Sequence, residues 1–500
     1  MSEQPEPHDD VADDPENTAS VGADLWTSSR VLPTTNLAVR FGPLVGRRDD
    51  VAMQDFRSYG VGQFFHFGLF SIPGNEWEGV SARRGAPASE WIRHWSGPTK
   101  PAGWESTYDN LWRVFDPHAL DTAGLARQAH AMGARYVIVP TKHHDGFCLW
   151  PSEFSDHTVA RTPYGKDIVG QFVSAYEAEG IDVFLYFSVL EWNHPDYMSH
   201  APRTAAEESR FERFLTYTRR QLLELIDRYP TIKGFWFDGT WDESWVQSYE
   251  FTYRLEQELR SAVPGLIIGS RFRNDEYGRR HFDSRGRLLG DYEQGWERKV
   301  PPNFEMLDGH DWDCVTSIPP NGWGYLKDVS DLYLKTPDDI IEMLMRCRSM
   351  NGNLVVNFGP DGDGRLRPEE DRIAEVLADW TSTNADAIYP ARHTELPANR
   401  AGHLTRSGTN LYLTVLNRPV TGIVRVALPK DSVEVPCAAR VLGDGRELPV
   451  RHSDIGYDLD ENTYYDIRLP TGFTAEHAFV IAMRLGRPAR PAESLMDARI

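Results

Sequence analysis

Asp238 closes the apolar run 234–237 in the segment GFWFDG, where Gly239 lets the chain turn. A strand that delivers one carboxylate to its end, flanked by aromatic rings, offers a nucleophile or a general base. The same residue type also caps helices, so both readings stay open at this point. A glycosidic bond needs two carboxyl groups. A retaining hydrolase sets them about 5–5.5 Å apart, and an inverting one uses a wider gap to admit water. Asp291, Glu293, Glu297 and Asp313 are candidates for the second group, and spacing alone does not choose among them.

Other polar residues end apolar runs in the same way. They are His66, the run Lys142-His143-His144-Asp145, Tyr186 with Glu191-Trp192 beyond it, Trp236 beside Asp238, and Arg271. Imidazoles can ligate a metal, bond sugar hydroxyls or pack in a core. Neighbours on a strand point to opposite faces, so His143 and His144 chelate one ion poorly unless the strand has already ended. The chain has no HxH or HExxH spacing, so contacts to sugar hydroxyls are the preferred reading and no metal is expected. Asp361, Asp363, Gly364 and Glu370 partly imitate a calcium loop. Its first ligand position would be Gly359, followed by Pro360, so a plain turn before a helix is expected.

The elements that must carry these residues are legible as alternating segments. Apolar runs at 63–67, 135–141, 182–188, 234–237, 266–270, 288–292, 313–318 and 353–358 alternate with amphipathic stretches at 122–132, 168–179, 207–228, 244–261, 336–349 and 368–384. Several runs, such as YVIVPT and DVFLYFS, are continuous, as strands buried on both faces are. Repeated strand–helix units predict a (β/α)8-like barrel, whose functional residues gather at the C-terminal ends of the strands. After residue 388 short strands with turn residues between them predict a C-terminal antiparallel β-sandwich. The expected organisation is an acidic tail without fixed structure at 1–30, a catalytic (β/α)8-like domain at 31–386 and a sandwich at 387–500.

Composition narrows the function classes. The 500 residues include 53 Lys and Arg against 74 Asp and Glu, a net charge of −21, which speaks against a nucleic-acid or anionic-membrane partner. A small-molecule substrate fits better. Part of that charge belongs to residues 1–30, where Arg30 is the only base. The N-terminus has neither the basic nor the apolar region of a signal peptide, and no run has the length of a membrane span, so a cytoplasmic protein is expected. The four cysteines, Cys148, Cys314, Cys347 and Cys437, are far apart and read as free thiols. All tryptophans except Trp26 and Trp380 lie between Trp77 and Trp323, inside the expected barrel.

Read in order, FHFGLFSIP, ASEW, TKHHDGFCLWPSEFSDHTV, LYFSVLEWNHPDY, GFWFDG, GDYEQGWERKVP, NGWGYLKD and NGNLVVNFGPDGDGRL resemble the α-L-fucosidase family of retaining glycoside hydrolases. The resemblance implies a (β/α)8-like domain followed by a sandwich, release of terminal α-L-fucosyl residues, and no cofactor. It places Asp238 as nucleophile. It implies that His66, Glu90, Trp91, His143, His144, Tyr186 and Arg271 bind the sugar, with Trp236 and Trp323 lining the pocket. Three positions depart from the family pattern. Phe67 stands where Trp is common, Phe187 where a second Tyr is common, and the acid/base segment differs in detail. Matching the basic-apolar-Pro stretch puts Glu297 in the acid/base role, with Glu293 and Asp313 as alternatives. Three rival functions remain, a carbohydrate-binding protein without catalysis, a metal-dependent hydrolase using the histidine pair, and an α-L-glycosidase for a related sugar such as an L-galactoside.

Overall fold

The computed structural model describes residues 47–86, 88–453 and 461–487. The expected tail at 1–30 lies outside the described residues. Eight parallel strands build the first unit: β1 (Val61–Phe65), β2 (Tyr136–Lys142), β3 (Asp182–Ser188), β4 (Gly234–Asp238), β5 (Ile267–Ile268), β6 (Glu293–Glu297), β7 (Trp312–Ser317) and β8 (Asn353–Phe358). Their order in the sheet is β5-β4-β3-β2-β1-β8-β7-β6. The two edges then meet, since Asp291 N donates to Ile268 O at 2.8 Å and Ser270 N to Tyr292 O at 3.0 Å. This closes the (β/α)8-like barrel.

Each strand alternates between two environments because its side chains have a period of two. Phe64, Ile138, Tyr186, Trp236, Val315 and Val355 point inward and fill the barrel. Phe65, Val137, Val139, Phe187 and Phe237 point outward into the layer shared with the helices. Both aromatic departures from the family pattern belong to this outer layer, where Phe67 packs on Phe115 and Phe187 on Phe237. They lie on the wall's far side from the barrel interior.

The helices follow the amphipathic pattern. They are α1 (Val51–Ser58), α2 (Thr122–Ala131), α3 (Ile168–Ala178), α4 (Ala205–Arg228), α5 (Tyr249–Ala262), α6 (Pro337–Ser349) and α7 (Pro368–Thr383). Thr204 caps α4 by accepting from Glu207 N, and Thr336 with Asp339 forms a capping box on α6. Each such cap stabilises its helix by about 1 kcal/mol. The strand–helix repeat is incomplete. Between β5 and β6 there is no helix, and between β6 and β7 only the short 3-10 turn Glu305–Leu307.

One strand differs from the sequence expectation. The apolar run 288–292 is the approach to the sixth strand, and the strand itself is the polar segment Glu293–Glu297, with a register irregularity against β7. Asp291 is therefore below the strand. Its Oδ2 accepts from Ile268 N and takes Arg48 and Arg260 at 3.0 and 2.9 Å, so it clamps the barrel seam and is no candidate acid. Gly290 is required here, because a Cβ at this position would come within 2.7 Å of the Gly269 backbone.

Beyond the barrel, five strands pair as β9 (Gly402–Ser407), β10 (Asn410–Val415), β16 (Phe479–Gly486), β12 (Val435–Val441) and β13 (Glu447–Leu448), and three as β11 (Ile423–Pro429), β15 (Asn462–Arg468) and β14 (Val450–His452). All these pairings are antiparallel, and Leu411, Leu413, Val424, Val426, Ile467 and Ile481 fill the space between the sheets. The sandwich rests on the barrel's helices. Trp380 Nε1 donates to Ala478 O at 2.6 Å, and Tyr412, Val480 and Ala482 join the barrel's outer core. No helix among the described residues is long and apolar enough to cross a membrane.

Candidate active site

The polar residues at the C-terminal ends of the strands converge. Asp238 is the last residue of β4, Glu297 the last of β6, and His66 follows β1 by one. Arg271, just beyond β5, joins the two carboxylates: its Nη2 donates to Glu297 Oε1, and its Nη1 lies 3.6 Å from Asp238 Oδ1. Tyr186 Oη donates to Asp238 Oδ2 at 2.7 Å. Gly239 takes φ +73°, and a Cβ there would sit 2.5 Å from Leu190 Cβ, so glycine permits the turn that leaves Asp238 facing the pocket.

Burial works against the charge on Asp238. Arg271, the hydrogen bond from the Tyr186 hydroxyl and the Gly239 N–H outweigh it, and the carboxyl is held below its ordinary range. Asp238 is thus kept ionised, as a nucleophile must be.

The other two carboxyl candidates are placed differently. Glu293 opens β6 at the opposite end from Glu297, and burial raises its pKa to about 7. Asp313 points into the barrel near the start of β7, where burial raises it to about 8 despite Arg271 and Tyr136 nearby. Of the four candidates, Glu297 is the one that shares Arg271 with Asp238 at the mouth.

The histidine pair lies beyond the end of β2, which stops at Lys142. Strand alternation no longer separates the two rings, and their centroids are 4.1 Å apart. His143 lies parallel to Tyr186 at 5.5 Å. His144 Nε2 is 3.8 Å from Asp238 Oδ2, and its Nδ1 is 2.7 Å from Ser188 Oγ. Ligand atoms of His143, His144 and Asp238 all fall within 4.8 Å of one another. Arg271 already brings positive charge to Asp238, so a cation there would meet electrostatic competition. Burial lowers the pKa of His66 and of His144 to about 4 and pushes His143 well below its ordinary value.

The aromatic residues form floor and rim. Trp236 lies under the Arg271 guanidinium, 4.8 Å from the ring centre, and stacks on Tyr186 at 5.7 Å. Trp323 stacks on His66 at 5.4 Å. Glu90 accepts from the backbone N–H groups of Trp323 and Gly324 at 3.1 and 3.2 Å, fixing the loop that holds this indole. Trp91 is at the rim, 37% exposed, with its ring 5.3 Å from His144. The eleven residues to which the resemblance gave a role thus lie together at the barrel mouth, while Asp291, Glu293 and Asp313 lie away from it. The imitation calcium loop is a turn: Asp361 Oδ1 accepts from Asp363 N and Arg365 N, while Glu370 accepts from Gly359 N.

Several members of the site were not singled out in the sequence. Asn357 accepts from His66, Ser188 contacts His144, and Trp241 adds a third indole beside Trp91 and Trp192 around His144. Ser188 is the last residue of its strand, the signal that marks Asp238, while Asn357 is one residue short of its strand's end. Arg298 adopts φ +56° directly after Glu297 and lays its guanidinium over Trp323 at 4.0 Å. No sequence pattern announced that conformation.

The chain is similar to proteins of known sequence and structure. The family model described as alpha-L-fucosidase matches residues 46–386. The chain is 30% identical to tissue alpha-L-fucosidase of Rattus norvegicus over 387 residues, 74% of this chain and 77% of that one. It is 39% identical to an alpha-L-fucosidase of Bacteroides thetaiotaomicron solved as a trapped covalent intermediate with 2-fluoro-fucosyl fluoride, with TM-score 0.80 over 89% of this chain and 99% of that one. A bacterial fucosidase solved with a pyrrolidine triazole inhibitor is also 39% identical, with TM-score 0.81 over 91% and 99% of the two chains.

Proposed function

We propose, on the premise that this chain belongs to the alpha-L-fucosidase family, that it hydrolyses terminal α-L-fucosyl residues with retention, using Asp238 as nucleophile and Glu297 as acid and base. The observation that carries this reading is the bridge Asp238–Arg271–Glu297 at the barrel mouth. Two carboxyl groups converge on one guanidinium, and a double displacement at one carbon uses such a pair of carboxyl groups. The similar Bacteroides enzyme, trapped as a covalent intermediate, supports the same course.

In the first step an Asp238 oxygen bonds to C1 as the glycosidic C1–O bond breaks, and Glu297 gives its proton to the departing oxygen. Formation of the ester removes the charge of Asp238. Glu297 is then the one free carboxylate beside Arg271 and serves as the base. It takes a proton from water, the resulting hydroxide bonds to C1, and Asp238 leaves as a carboxylate. His66, His143, His144, Glu90 and Trp91 bind the sugar hydroxyls, and Phe64, Tyr186 and Trp236 form an apolar floor suited to the 6-methyl group.

Two variants test the roles on an aryl α-L-fucoside. Asp238→Gly with azide should yield the β-fucosyl azide, because azide replaces the nucleophile from the same side. Glu297→Ala with azide should yield the α-fucosyl azide, because azide attacks the intermediate. Full activity in either variant, or the reverse pairing of products, would overturn the assignment.

A further inference from the structure

Two residues behind the histidines dictate what kind of hydrogen bond the pocket can make. Asn357 Nδ2 donates to Trp323 O at 2.6 Å. A backbone carbonyl can only accept, so the amide is oriented with Oδ1 toward His66 Nδ1, 2.6 Å away. His66 must then carry its hydrogen on Nδ1. Ser188 repeats the logic with a hydroxyl. Its Oγ donates its only hydrogen to Leu190 O at 2.8 Å, so it must accept from His144 Nδ1 at 2.7 Å. The three histidine rings are almost fully buried, with His143 4.1 Å from His144 and 5.7 Å from His66, which disfavours charge on more than one of them.

We infer that Asn357 and Ser188 are positioning residues that lock His66 and His144 as neutral Nδ1–H tautomers, so that both rings present an Nε2 lone pair to the pocket and read two substrate hydroxyls as hydrogen donors. His144 Nε2 does face the pocket, 3.8 Å from Asp238 Oδ2. The consequence concerns ligand chemistry. A fluorine at either hydroxyl position can accept but cannot donate, so it does not substitute for the hydroxyl. The inference rests on the proposed fucosidase reading and extends it from which sugar is bound to how its hydroxyls are told apart from other acceptors.

The charged and titratable groups facing these rings do not change when Asn357 is replaced. Asp238, Glu297, Arg298 and His143 surround His66, while Asp238, Glu90, His66, His94 and His143 surround His144. Asn357→Asp puts a carboxylate at His66 Nδ1 and makes the imidazolium accessible near neutral pH. The inhibition constant of neutral L-fucose should then weaken, relative to wild type, at least tenfold as pH falls from 8 to 5.5. Ser188→Ala should weaken fucose binding without adding that pH slope. A variant-to-wild-type ratio that stays flat across pH would overturn the inference. A second measurement needs no variant: methyl α-L-fucosides with one hydroxyl at a time replaced by fluorine or by hydrogen are compared on the wild type. At two positions the fluoro and deoxy compounds should be equally poor, each at least tenfold weaker than the parent. Fluoro compounds that bind like the parent at every position would contradict it. A wild type that neither binds L-fucose nor hydrolyses a fucoside would instead remove the functional reading on which the inference rests.

Discussion

At the scale of single residues, Arg271 governs the proposed site because it lies against both carboxyls to which the proposal gives the chemistry. Replacing it by Met leaves Asp238 with burial and without its guanidinium, so the Asp238 carboxyl rises from its depressed value. The acidic limb of kcat/KM should move to higher pH, and kcat should fall by roughly 10²–10³, the range for removal of one preorganised electrostatic partner. An unshifted limb in a pH–rate profile would separate Arg271 from Asp238. Asp313 gives a prediction of opposite sign about stability. Its folded pKa of about 8 is above the ordinary carboxyl range near 3.9. Between those values the native state binds a proton that the unfolded chain does not, so stability falls as pH rises through that window. Asp313→Asn should flatten this decline, by up to about 1.4 kcal/mol per pH unit. Urea unfolding at pH 5, 6.5 and 8 checks it, and parallel curves for the two proteins would refute it.

At the scale of elements, strand alternation decides which aromatic swaps matter. Tyr186 and Phe187 are neighbours on β3, one facing Asp238 and the other the helix layer. Tyr186→Phe should lower kcat/KM by about 1.5–3 kcal/mol, the range for a hydrogen bond to a charged group. Phe187→Tyr should change KM less than about twofold because its ring lies outside the pocket; any loss should be in stability, through an unpaired buried hydroxyl. Kinetics of the two variants side by side tests the alternation directly. This same alternation made much of the site legible from sequence. Asp238 and His66 were found because a polar residue ended an apolar run. Asn357 is less legible because Phe358 follows it, so it lies inside the apolar run and does not end it. The sixth strand was misplaced because EQGWE carries site residues and a register irregularity in place of an apolar face. Its approach, LLGDY, looked more like a strand than the strand did. The role of Asp291 depended on a contact across the barrel seam, and local pattern does not report such contacts.

At the scale of the whole molecule, the barrel and the sandwich share an outer core through Trp380, Tyr412 and Val480. Trp380→Ala should cost about 3–5 kcal/mol, as for other large core truncations. Because the two units are joined by this contact, the loss should appear in the first thermal transition by calorimetry, with kcat per folded molecule retained. A variant with unchanged Tm would mean that the interface contributes little. Within the pocket Arg271 and Arg298 flank Glu297, one in space and one in sequence, and offset part of the acidity of Asp238, Glu297 and Glu90. A neutral sugar read by hydroxyl donors, ring faces and one guanidinium fits that arrangement better than an anion does. The central claim is that Asp238 forms the bond to C1. The most direct measurement is to treat the wild type with 2-fluoro-fucosyl fluoride, digest it, and locate the added mass by peptide mass spectrometry. The label should be on Asp238 alone, with none in Asp238→Asn. A label on any other carboxyl group, or an enzyme that turns over fucosides yet never acquires one, would contradict the account.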